Sequence, residues 1–313
     1  MSTPALDLST AIAGSTFPNP IFTASGCAAN GKELSSFFPL SELGAMVTKS
    51  VMASPRSGRA TPRMAETPSG MLNAIGLQGP GIETFLKEDL PWLEAHGART
   101  IVSIAGESVE EFALLSRKIR NASGVHGLEV NISCPNVENR GLVFACDPRS
   151  AREVIEAVKR SVGNTLPIIA KLSPDVTDIV SIAREVMNAG ADGLAMINTL
   201  LGMVINTDTM RPHLANKTGG LSGPAIRPVA VRAIYQVHSA MPEVPIVGMG
   251  GVLTGHDAFE LVLAGACAIS VGTASFHDPN SAIRIKRELE QILISKGFAS
   301  FHDAVGYAHR KES

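Results

Sequence analysis

Residues 168–198 read IIAKLSPDVTDIVSIAREVMNAGADGLAMIN, and this stretch decides the fold. Residues 168–172 form a short apolar run with Lys171 near its end, and 193–198 form a second that finishes on Asn198. Between them Val176, Ile179, Val180, Ala183 and Val186 recur at the spacing of one helix face, and Ala189-Gly190 supplies a stop. A buried strand, an amphipathic helix and a second buried strand make one parallel crossover unit.

Working outward, the same unit repeats along the chain. Apolar runs predict strands at 20–25, 45–50, 100–105, 128–133, 168–172, 193–198, 246–250 and 268–272. Helical periodicity predicts helices at 109–120, 148–162, 176–189, 225–240, 255–264 and 279–296, several opened by Ser, Asp or Thr in capping positions. Eight strands alternating with helices predict an α/β fold, the (β/α)8 TIM barrel. The competing architecture, an open doubly wound sheet, lacks its glycine fingerprint after the first strand. Residues 1–19 are expected to form a small β-hairpin plugging the barrel bottom. No linker is visible, so one barrel domain over 1–313 is expected. The insertions 51–80 and 200–222 are too long for ordinary connections and follow strand C-termini. With the 134–147 loop they are expected to build walls and a lid on the rim that carries chemistry in barrels.

Composition narrows the function classes. A chain of 313 residues, 45% hydrophobic and 18% charged, can bury one large core. A formal net charge of -2, without Lys/Arg clusters interleaved with aromatics, argues against a nucleic-acid partner. There is no basic, apolar leader and no apolar run of membrane-spanning length, so a cytoplasmic protein is expected. Cys27, Cys134, Cys146 and Cys267 form no C-x-x-C pair, so local spacing builds neither an iron–sulfur cluster nor a zinc site. Cys267, in an apolar run, is expected in the core.

Polar side chains collect where barrel strands end: Ser25, Lys49, Asn131, Lys171, Asn198 and Thr199. Strands buried on both faces should be apolar, so Lys49 and Lys171 need either salt bridges at the rim or an anionic ligand. Glycines gather at the last two strand ends, in Gly248-Met249-Gly250-Gly251 and Gly272-Thr273-Ala274. Such loops can hold a phosphate on backbone N–H groups, although tight turns would need the same residues. A flavin mononucleotide (FMN) would suit them, and Lys171 would then face the N1/O2 edge where reduction places negative charge. Asn131-Ile132-Ser133-Cys134-Pro135-Asn136 sets a thiol between two amides just past a strand end. Cys134 reads either as a buried turn cysteine or as a base or nucleophile. A free thiol with a pKa of about 8.5 is only roughly 3% ionised at pH 7, so a base here needs help from its surroundings.

The run Glu-Val-Asn-Ile-Ser-Cys-Pro-Asn at 129–136 resembles the catalytic loop of the class 1 dihydroorotate dehydrogenases. Thr48-Lys49-Ser50, Asn73-Ala74-Ile75-Gly76-Leu77-Gln78, Lys171-Leu172-Ser173-Pro174, Ile197-Asn198-Thr199, Gly219 to Pro224, Gly248 to Gly251 and Val271 to Ala274 follow in family order. The wording is most similar to class 1B, the catalytic subunit of the NAD-linked enzyme. The resemblance implies FMN held by Ser25, Lys49, Ser50, Asn131, Lys171, Ile197, Gly223, Gly250, Gly251, Gly272 and Thr273. Ser103 joins this set, at a place where the family usually has Asn. It implies dihydroorotate or orotate held by Lys49, Asn73, Ala74, Ile75, Gly76, Leu77, Asn131, Asn136, Asn198 and Thr199. Catalysis falls to Cys134, Lys49 and Lys171: Cys134 takes the C5 proton while hydride leaves C6 for flavin N5, in pyrimidine (UMP) biosynthesis.

The resemblance further implies a homodimer joined by a second subunit with FAD and a [2Fe-2S] cluster, a heterotetramer passing electrons to NAD⁺. Class 2 membrane enzymes are similar but use Ser in place of Cys134. Three other readings stay open here. One is a class 1A-like enzyme reducing fumarate, another a dihydropyrimidine dehydrogenase type acting on uracil or thymine, and the third a non-catalytic scaffold.

Overall fold

Eight parallel strands, numbered here β1 to β8 along the chain, form the central sheet of the computed structural model, which describes residues 6–133 and 147–311. They are β1 Ile21–Thr23, β2 Met46–Val47, β3 Thr100–Ile104, β4 Val125–Asn131, β5 Ile168–Lys171, β6 Gly193–Met196, β7 Ile246–Met249 and β8 Ala268–Val271. Each pairs with its sequence neighbour, and β1 pairs with β8. A parallel bridge between Phe22 and Ala45, with Gly44 N–H donating to the Ile21 carbonyl at 2.8 Å, closes the ring between β1 and β2. The predicted (β/α)8 barrel is the observed fold. β4 starts at Val125, earlier than predicted, because Val125 and Gly127 pair with Thr100 and Ile101 of β3.

Side-chain alternation along each strand divides two cores. Outward residues such as Val102, Leu128, Val130, Ala170 and Leu194 pack under the helices. Inward residues Phe22, Val47, Ile101, Ile169, Ala195, Val247 and Ala268 pack together with Ile12 and Phe17. Those last two belong to the hairpin Thr10–Ile12 with Ser15–Phe17, which plugs the barrel bottom as expected. Cys267 packs against this inner cluster, partly exposed. One step further along the same faces, the inward residues become Ser103, Lys171 and Ser270, so the barrel is apolar below and polar above.

Helices Val109–Ile119, Pro148–Val162, Ile179–Asn188, Arg227–Ala240, Gly255–Ala264 and Ser281–Ser295 surround the sheet. Ser108, Asp147, Asp178 and Thr254 cap four of them by accepting first-turn N–H groups. One helix begins later than predicted, at Ile179, since Asp178 is its cap and Asp175 instead accepts from Leu201 N–H at 3.2 Å. The β1 to β2 crossover contains two 3₁₀ turns, Leu34–Ser36 and Leu40–Glu42. The β2 to β3 crossover has unpredicted helical turns within Ile82–Thr84, Phe85–Asp89 and Leu90–Ala95.

The insertions pair with each other across the sequence. Met64–Thr67, Gly70–Asn73, Thr218–Ser222 and Leu200–Met203 form a four-stranded antiparallel sheet over the rim. Among the described residues no helix is long and apolar enough to cross a membrane. Leu115, fully buried between β-sheet and neighbouring helices, tests the outer core. Leu115→Ala is expected to cost about 2–5 kcal/mol, read as a lower urea midpoint at unchanged slope.

Candidate active site

A cavity of about 720 Å³ opens above the polar layer at the strand C-termini, within the size range of small-molecule sites. Ser25, Lys49, Ser50, Asn131, Lys171, Ile197, Gly223, Gly250, Gly251, Gly272 and Thr273 line it, as do Asn73, Ala74, Ile75, Gly76, Leu77, Asn198 and Thr199. The residues predicted from strand ends thus converge on one space. Cys134 and Asn136 lie outside the described residues. Ser103 is placed differently: it is fully buried behind Ser50, with its hydroxyl turned to Glu129 and away from the cavity wall.

The register explains this polar layer. Ser103 of β3 lies beside Glu129 of β4, and Asn131 of β4 beside Lys171 of β5. Ser103 Oγ donates to Glu129 Oε1 at 2.8 Å, and Ser50 and Ser103 hydroxyls are 2.9 Å apart. Asn131 Nδ2 donates to Ser50 Oγ at 3.1 Å, while its Oδ1 accepts from Ser133 Oγ at 2.8 Å. Asn198 Nδ2 in turn donates to Ser133 Oγ at 2.6 Å. Two amides are therefore held in fixed orientation on the cavity wall.

Lys171, 3% exposed, donates from Nζ to Ser25 Oγ at 2.8 Å and forms an ion pair at 3.8 Å with Glu129. Lys49 has no ion pair among the described residues, and burial first, then the neighbouring Arg63, holds its ammonium below the ordinary lysine range. An anion beside Lys49 would relieve both costs. Arg59, bonded to Asn216 at 2.5 Å, and Arg63, bonded to Gln78 at 2.7 Å, line the same space. Among the described residues, four cationic side chains, Lys49, Arg59, Arg63 and Lys171, thus share the cavity wall with one carboxylate, that of Asp175. The site is built for negatively charged guests.

Two glycines are required by close approach. Gly76 adopts φ +80°, and a Cβ there would press into Arg59 at 2.6 Å. A Cβ on Gly220 would collide with the Thr199 hydroxyl. Cys27 also lines the cavity, but burial pushes its thiol up to about 11 despite the opposing pull of Lys171 and Lys49. It stays protonated at neutral pH. Sequence reading gave no role to Glu129, Arg59, Arg63, Ser133 or Cys27. An acid inside an apolar strand was a signal for Glu129, whereas loop arginines are ordinarily solvated and gave none.

A family model described as dihydroorotate dehydrogenase matches residues 7–293. The chain is 48% identical over 300 residues to the dihydroorotate dehydrogenase B (NAD(+)) catalytic subunit of Citrifermentans bemidjiense, covering 96% of this chain and 97% of that protein. Similar relatives of the same description are 49% identical in Geotalea daltonii over 96% and 97% of the two chains, and 46% identical in Bacillus pumilus over 98% of each.

Proposed function

This chain belongs to the dihydroorotate dehydrogenase family, and we propose that it is the catalytic subunit of an NAD⁺-linked class 1B enzyme that oxidises dihydroorotate to orotate in pyrimidine biosynthesis. The observation that carries this reading is the cationic cavity faced by oriented amides. The substrate offers a carboxylate, which a lysine pairs, and a ring of N–H and C=O groups, which amides bind. Dihydrouracil lacks the carboxylate and would leave Lys49 unpaired.

The walls also suit FMN. Ser270 Oγ, on the cavity floor, is buried without a hydrogen-bond partner among the described residues. Gly250 and Gly251 take φ +124° and +77° and line the cavity without side chains of their own. Gly272 and Thr273 border the same end, and the Thr273 hydroxyl donates to Ser222 Oγ at 2.8 Å. We assign the phosphate to this end and the ring system to Lys171, Asn131 and Ser50. When bound, the flavin supplies the hydride acceptor for substrate C6. Lys171 holds positive charge beside the ring, Lys49 anchors the substrate carboxylate, and Asn73, Asn131 and Asn198 orient its ring. Cys134, which directly follows Ser133, is assigned the C5 proton. The relatives' description as catalytic subunits supports a partner, proposed to carry FAD and [2Fe-2S] around a homodimer of this chain. Copurification with a coloured second subunit that confers NAD⁺ reduction tests that assembly; full NAD⁺ reduction by this chain alone would contradict it.

Lys49→Ala is expected to raise KM for dihydroorotate about 10–100-fold, the worth of one charge-assisted contact, with a smaller change in kcat. Because its ammonium is held below the ordinary range, Lys49 loses charge as pH rises through that lowered value. KM should therefore climb on the alkaline side in the parent enzyme and stay flat in Lys49→Ala. Steady-state kinetics across pH check both, and an unchanged KM would remove Lys49 from the substrate site.

A further inference from the structure

Glu129 stands behind the cation assigned to the flavin, and the family resemblance gave it no role. It is 2% exposed and points into the barrel from β4, with Oε1 3.8 Å from Lys171 Nζ. Its carboxylate accepts from the Ser103 hydroxyl at 2.8 Å. Ser103 has then spent its only proton, so at 2.9 Å it accepts from Ser50, which in turn accepts from Asn131 Nδ2 at 3.1 Å. Every donor in this chain points towards one buried carboxylate. On the other side, Lys171 is left to donate to Ser25 at 2.8 Å.

We infer that Glu129 is a positioning residue whose charge fixes and partly offsets Lys171, so that the Glu129–Lys171 pair, and not Lys171 alone, sets how readily the bound flavin is reduced. The inference rests on the proposed flavin site. The physical ground is that a lysine this dry requires a counter-charge, while the same negative charge opposes electron gain next to it. The pair thereby places a cation at the cofactor without over-stabilising its reduced form, which must pass its electrons on.

The test is the reduction potential of FMN-loaded variants, with FMN affinity measured alongside. Glu129→Gln keeps the volume and the acceptor for Ser103 and removes only the charge. It is expected to favour the reduced form at least tenfold, about 30 mV more positive for a two-electron couple. Glu129→Asp keeps the charge and should lie nearer the parent than Glu129→Gln does. A packing role predicts the opposite order, because Asp leaves a gap and Gln does not. Asp perturbing the potential more than Gln, or a Glu129→Gln potential that does not rise, overturns the inference. Lys171→Ala separates the levels. A lowered potential in Lys171→Ala with an unmoved one in Glu129→Gln refutes the role of Glu129 and leaves the flavin site standing. Failure of the parent chain to bind FMN at all would refute the flavin site and the inference with it.

Discussion

Cys134→Ala is expected to retain its fold and its FMN, yet to slow flavin reduction by dihydroorotate by about 10²–10⁴-fold, the range of a lost general base. Cys134 follows Ser133, whose hydroxyl joins Asn131 to Asn198 on the cavity wall. Among the described residues Cys27 is the thiol that lines the cavity, and burial holds it protonated, its pKa pushed up to about 11. Rapid mixing of anaerobic enzyme with dihydroorotate reports the step directly through flavin bleaching. Bleaching at a near-parental rate would remove Cys134 from the chemistry, and loss of bound FMN would show that the residue acts in cofactor binding.

Lys171→Ala is expected to affect both redox chemistry and stability. Without its cation the cavity no longer favours the negative charge of reduced flavin, and the reduction equilibrium should fall about 10–100-fold, roughly 30–60 mV for two electrons. Glu129, 2% exposed, is meanwhile left without its counter-charge. Breaking a buried pair from one side typically costs about 3–5 kcal/mol. Much of that loss should return in Lys171→Ala with Glu129→Gln, since the double variant buries no lone charge. Potentiometry and urea unfolding of the three proteins check the two effects. An unmoved potential would place Lys171 away from the flavin ring.

The barrel was legible because its strands are buried on both faces, and runs such as Ile168-Ile169-Ala170 stand out between amphipathic helices. The rim sheet was not. Leu72 pairs with Leu221 across 149 residues of sequence, and no local periodicity announces a contact that distant. One helix boundary slipped because Asp175 and Asp178 are equal capping candidates until Leu201 N–H claims Asp175.

The site was legible where polarity contradicted burial. Lys49, Asn131, Lys171 and Asn198 are conspicuous at the ends of apolar strands, and all four line one cavity. Ser103 was expected at the cofactor; the β3–β4 register sets it beside Glu129, to which its hydroxyl donates at 2.8 Å, with Ser50 between it and the cavity. Arg59 and Arg63 became visible only once the insertion carrying them folded over the rim.

The most direct test is anaerobic titration of the purified, FMN-loaded chain with dihydroorotate and, separately, dihydrouracil. Stoichiometric bleaching by dihydroorotate with release of orotate, and none by dihydrouracil, is the predicted result; bleaching by dihydrouracil alone, or by neither, would contradict it.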